Sequence, residues 1–106
     1  MLRGLPVAQA RANIDRILIE LARRRIPVQL VGMRAAPNLG RDYVREFEAM
    51  YPALARKHRV PLYPFFLEGV AANRALIQRD GLHPNARGVA VIVRGILPAV
   101  RRALPR

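Results

Sequence analysis

Asp80-Gly81-Leu82-His83-Pro84-Asn85 places a carboxylate three residues before one of only two histidines in a 106-residue chain. A carboxylate that holds one ring nitrogen of a histidine leaves the other free to take a proton, which is the base end of a nucleophilic triad. Such a base needs a hydroxyl or thiol to activate, and the chain contains no Cys, Ser or Thr. What remains for covalent chemistry is Lys57, three tyrosines, the carboxylates and the histidines themselves, none of them the ordinary partner of an Asp-His pair. On the hexapeptide alone a plainer reading stands beside the catalytic one: Asp80-Gly81 is a turn, Pro84-Asn85 a helix start and His83 a loop residue. His58, next to Arg56 and Lys57, reads as a cation complementing a helix C-terminus. Two unlinked histidines without cysteine do not make a metal site, so no metal and no cofactor are expected.

The elements that must position such a pair are bounded by length and composition. A chain of this size makes one domain at most. An apolar content of 52% and a mean hydropathy of +0.04 exclude a disordered tail. No apolar run approaches the length of a membrane helix. Without cysteine the chain is mute about redox compartment, and the N-terminal residues 1–11 have no export-signal pattern. The net charge of +12 invites a nucleic-acid or anionic-surface reading. Yet the 19 basic residues, all arginine except Lys57, are scattered, and the densest runs fall where helices are expected to end. No aromatic residues interleave with the Arg87, Arg94, Arg101 stripe, so a solvated face is favoured over a specific nucleic-acid site.

Val7, Ala10, Ile14, Ile17, Leu18 and Leu21 recur at helical spacing and predict a helix over about 6–25, with Pro6 in its first turn. Residues 26–33 are β-branched and almost continuously apolar, as in a strand buried on both faces of a parallel sheet. The polar stretch 34–40 is a connection at the sheet edge where open α/β folds bind ligands. Asp42 is expected to cap a second helix, apolar along Val44, Phe47, Met50, Tyr51 and Leu54, bent at Pro52 and ending near His58. Residues 60–66 read as a second strand, and 67–79 as irregular or weakly helical. Asn85 is expected to cap a last helix whose Val89, Ile92, Val93, Ile96, Leu97 and Val100 point inward. No internal repeat is apparent. The order α-β-α-β-α implies two parallel strands, too few for a sheet covered by three helices, and so the second half of a larger α/β domain.

The segments "DGLHPNARGVAVIV", "VQLVGMRAAPNLGRDY" and "FEAMYPALARKHRVPLYPFFLEGV" resemble, in order and spacing, the C-terminal half of the SGNH (GDSL) hydrolases. The nearest branch is the bacterial one known as acyl-CoA thioesterase I, lysophospholipase L1 or arylesterase. The resemblance implies the C-terminal portion of a three-layer α/β/α, flavodoxin-like fold, with residues 1–106 forming a single partial domain. It makes His83 the general base and Asp80 its orienting acid, and puts Arg34, Pro37 and Asn38 in the loop lining the acyl pocket. The family's serine block and oxyanion-donor blocks do not occur in the sequence, and Met1 falls just past the last of them. The implied function is therefore a fragment of an ester or thioester hydrolase, without turnover alone, acting on an acyl ester or thioester only when complete. A non-enzymatic basic remnant binding another chain, nucleic acid or an anionic surface is the competing class. Self-association is expected through surfaces that the other half would cover. The full-length family is compatible with a periplasmic or secreted location.

Overall fold

The computed structural model describes residues 6–71, 73–79 and 83–104. Helix α1 spans Val7–Arg23, strand β1 Leu30–Val31, helix α2 Arg41–His58, strand β2 Leu62–Tyr63 and helix α3 Ala86–Ala103. Single turns of 3-10 helix occupy Pro37–Leu39 and Arg74–Leu76. The two strands pair in parallel, Leu30 opposite Leu62 and Val31 opposite Tyr63. Successive strand residues face opposite sides. Leu30 joins the core between α1 and α2, and Leu62 lines a cleft with Tyr51 of α2. Tyr63 faces the other way, its hydroxyl so close to Gly95 of α3 that a Cβ there would lie 2.6 Å from it. The order is the expected α-β-α-β-α, with α1 and α2 over one face of the sheet and α3 over the other.

Both strands are shorter than the apolar runs at 26–33 and 60–66 suggested. In each run the first residue belongs to the preceding helix end: the amides of Ile26 and Val60 donate to Leu21 and Ala55. A proline without an N–H follows in both, Pro27 and Pro61. Pairing beyond β1 continues as the Phe66 amide donating to Gly32 at 2.9 Å. Gly32 is required there, since a Cβ would lie 2.3 Å from the Pro64 carbonyl oxygen.

The core is the face that α1 and α2 share. Val7, Leu18, Phe47, Met50 and Leu54 are buried together, with Ala10, Ile14, Val28, Leu30 and Met33 packed around them. Tyr43, Phe47 and Tyr51 form an aromatic row along α2, with ring centroids 6.2 and 5.7 Å apart. Three expectations are corrected. Asp42 does not cap α2: Gly40, at φ 96°, is the cap residue, and Asp42 lies one residue inside the helix, where its charge faces the positive dipole end. Pro6 caps α1 rather than occupying its first turn, its carbonyl accepting from Gln9 and Ala10. On α3, Ile92 is buried, but Val89 and Val93 are 48% and 49% exposed, and Leu97 and Val100 are exposed as well. A sheet two strands wide covers only part of the apolar face that α3 offers.

The helix-to-strand connections repeat each other, which the sequence reading missed. Arg25-Ile26-Pro27-Val28 and Arg59-Val60-Pro61-Leu62 both begin with an arginine in the left-handed region, at φ 57° and 54°. In each, the arginine amide donates three residues back and the next amide five residues back, to Ala22 and Leu21 in one case and Arg56 and Ala55 in the other. This is the Schellman closure, whose left-handed position is ordinarily glycine. Relief of that left-handed strain is offset in part by glycine's larger unfolded-state freedom. Arg25→Gly and Arg59→Gly should therefore each leave stability unchanged or raise it by up to about 1 kcal/mol. Urea unfolding checks this, and a loss beyond that size would mean the arginine side chain holds the fold.

Candidate active site

His83 lies in the connection to α3, at the edge where the strands end. Its side chain is exposed. Its backbone is held from the carbonyl onward. The His83 carbonyl accepts from the Gln78 amide at 2.7 Å, and Ile77 and Pro84 form an isolated antiparallel bridge. The Gln78 side-chain amide donates to the Pro84 carbonyl at 3.2 Å. Asn85 is the node of this clamp. Its Oδ1 caps α3 by accepting from Gly88 at 2.9 Å, its Nδ2 donates to the Ala75 carbonyl at 2.9 Å, and its amide donates to Leu76 at 2.9 Å. Asn73 closes the facing 3-10 turn by accepting from the Ala75 amide. Gly88 lets the two segments approach, since a Cβ there would lie 2.2 Å from the Leu76 carbonyl oxygen. The sequence pattern indicated the Asn85 cap. Its second bond to Ala75, and the roles of Gln78 and Gly88, depend on residues 73–78 folding back onto the helix start.

Asp80 lies outside the described residues. Of the loop after β1, Arg34 and Asn38 are exposed, and the backbone of Pro37 and Asn38 forms the first 3-10 turn. Arg34 is held over the Phe65 ring, its guanidinium carbon 4.3 Å from the centroid. It also borders a cleft of about 200 Å³ with Met33, Glu48, Tyr51, Leu62 and Pro64, on the α2 side of the sheet. The tertiary fold therefore puts Arg34 and His83 at the same edge of the sheet but on different connections. Among the described residues, no group of three His, Asp or Glu side chains could hold a metal ion, and no helix is long and apolar enough to cross a membrane.

The second histidine pairs with an acid that the sequence did not single out. His58 Nε2 lies 2.6 Å from Asp15 Oδ1, and Lys57 Nζ lies 3.0 Å from the same oxygen. His58 is nearly buried, with 11% of its side chain exposed. It therefore clips α2 to α1 in addition to complementing its own helix end. This pair sits where the strands begin, the edge remote from His83, and so cannot share a site with it. The hydrogen bonds from His58 first, and from Lys57 second, hold the Asp15 carboxyl below its ordinary range. A carboxyl depressed in the folded state lends stability that is complete above its unfolded value and is lost as pH falls below it. Asp15→Asn should therefore be less stable than the parent near neutrality, with the difference closing below about pH 4. Thermal melts across an acid series check this, and a constant difference would rule the ion pair out as its source.

No family model matches the chain. Individual relatives do. The chain is 31% identical to Esterase TesA of Pseudomonas aeruginosa over 103 residues, 97% of its own length and 51% of the relative's. It is 38% identical to Thioesterase 1/protease 1/lysophospholipase L1 of Escherichia coli strain K12 over 84 residues, 79% of its own length and 40% of the relative's. Among solved structures, AlinE4, described as a SGNH-hydrolase family esterase, is 55% identical with a TM-score of 0.72, covering 99% of this chain and 56% of that one. The crystal structure of TesA superposes with a TM-score of 0.88 at 31% identity, over 97% of this chain and 57% of that one. The chain thus spans about half the length of the curated relatives it matches. With its α/β order and parallel strand pair, the chain belongs to the SGNH-hydrolase family and matches the C-terminal half of one of its esterases.

Proposed function

We propose that residues 1–106 are a single partial domain carrying the Asp-His half of an ester or thioester hydrolase site, with His83 as general base and Asp80 as its orienting acid. The observation that carries this reading is the Asn85 clamp. It fixes the backbone of an exposed histidine at the ligand-binding edge of the sheet, as a base must be fixed to meet a nucleophile supplied by another segment. Arg34, Pro37 and Asn38 line the acyl side of the cleft in the completed site.

Two features support a partial domain. The amides of Leu30 and Gly32 both point at β2, so Val31 turns its N–H and C=O to the opposite, unpaired side. Just past the end of β2, Pro64 has no N–H to offer, and its carbonyl lies against Gly32. A further strand therefore suits β1 and not β2. The exposed apolar row of α3 is the second feature, a face of the size that an additional strand would cover. Without that cover the chain is expected to self-associate.

In the completed enzyme His83 takes the proton of a serine hydroxyl as its oxygen attacks the acyl carbonyl. The resulting oxyanion is held by hydrogen-bond donors, and the leaving alkoxide or thiolate receives the proton from His83. Water, deprotonated by His83, then cleaves the acyl-enzyme, and serine regains its proton as the acid departs. The 106 residues contain no serine, so they are expected to show no turnover on p-nitrophenyl esters or acyl-CoA. Fusing the N-terminal half of AlinE4 ahead of Leu2 should produce hydrolysis. In that fusion His83→Ala should lower the rate by roughly three orders of magnitude or more, and Asp80→Asn should also lower it. His58→Ala should cost little activity, since His58 is engaged with Asp15 at the opposite edge. A folded fusion that hydrolyses esters equally well with His83→Ala would reduce the loop to a structural turn.

A further inference from the structure

All three helices end at the edge where the strands begin. One cleft of about 360 Å³ there is walled by Ala22 of α1, Pro27 before β1, Arg59 and Pro61 before β2, and Arg102 of α3. Each helix brings arginine to this edge: Arg23 to Arg25 from α1, Arg56 and Arg59 around the end of α2, and Arg101 and Arg102 from α3, all exposed. Glu20 pairs with Arg23 and Arg24, and Asp15 takes Lys57 and His58. Among the described residues no carboxylate pairs with Arg25, Arg56, Arg59, Arg101 or Arg102. The helix dipole accounts for a cation at each helix end. It does not account for arginine at two backbone positions that favour glycine, nor for the apolar side chains among these charges: Ile26, 46% exposed, and Leu104, 59% exposed.

We propose that this edge docks on an anionic phospholipid bilayer. The unpaired guanidinium groups meet headgroup phosphates, and Ile26 and Leu104 enter the boundary between headgroups and acyl chains. Nucleic acid would use the same charges, but no Phe, Tyr or Trp lines the cleft to stack on bases, and a duplex gives exposed Ile and Leu nothing to bury against. Docking by this edge leaves the His83 loop at the opposite edge facing away from the bilayer. The proposal does not depend on ester hydrolysis.

Co-sedimentation of the 106-residue chain with vesicles of phosphatidylglycerol or phosphatidylcholine, over a salt series, tests it. Retention on phosphatidylglycerol should be at least about tenfold stronger and should weaken as salt rises. Arg25→Gly with Arg59→Gly removes two charges where the backbone accepts glycine and should lower retention about tenfold, with circular dichroism unchanged. Arg41→Gln with Arg45→Gln removes the same charge from the other end of α2 and should leave retention within about twofold. Ile26→Asn with Leu104→Asn should weaken vesicle binding and leave binding to duplex DNA unaltered. Equal losses in the two arginine pairs would reduce the effect to net charge and overturn the proposal. So would binding to duplex DNA that is tighter than to phosphatidylglycerol and equally dependent on Arg25 and Arg59. Hydrolysis by the AlinE4 fusion is read separately, so either conclusion can fail without the other.

Discussion

Two adjacent parallel strands cannot be joined by a tight turn; the chain must cross back over the sheet, and here it does so through α2. That constraint polarises the whole molecule. Each helix runs against the strands, so the connections after the strands collect at one edge and the helix C-termini at the other. Residues 34–40 and the His83 loop share the first edge because both follow strands. Arg25, Arg59 and Arg102 share the second because each closes a helix. The pairing itself tolerates little change at its centre, where Gly32 leaves room for the Pro64 carbonyl and receives the Phe66 amide.

The two histidines illustrate how position in this polarised frame decides chemistry. His58 is nearly buried, hydrogen-bonded to Asp15 across the α1–α2 contact, and its acid partner is itself shared with Lys57. Such a pair is committed to holding two helices together. His83 has the opposite setting: an exposed ring on a backbone fixed by Gln78, Pro84 and Asn85. The general-base role proposed for His83 draws on that combination, since the ring must reach a partner while the loop resists displacement.

The division between covered and uncovered surface is equally informative. The face shared by α1 and α2 is closed around Met50 and Leu54, which are almost completely buried. On α3 the apolar row is as regular as on the other helices, yet much of it meets solvent. All three helices are amphipathic in sequence, α3 the most strongly. They differ in what else covers them: α1 and α2 pack on each other as well as on the sheet, whereas α3 lies on the other face of the same two strands beside only the 3-10 turn at Arg74–Leu76.

The sequence by itself determined the elements and their order. Apolar spacing located three helices to within a few residues, the Asn85 cap was legible from its side chain and position, and the two apolar runs marked the strands. The ordered segments ending in "DGLHPN" carried the family resemblance. These are local signals, set by side-chain period and capping chemistry over a few residues. Only the tertiary structure decided what depends on residues distant in the chain. It supplied Asp15 as the partner of His58 across 43 positions. It joined Asn85 to Ala75, and it removed Asp42 from the cap position through the positive φ of Gly40. It also left exposed Val89, Val93, Leu97 and Val100, four of the six α3 side chains that the pattern marked as buried. Burial is a property of what lies opposite a side chain, and no window of sequence contains its own opposite.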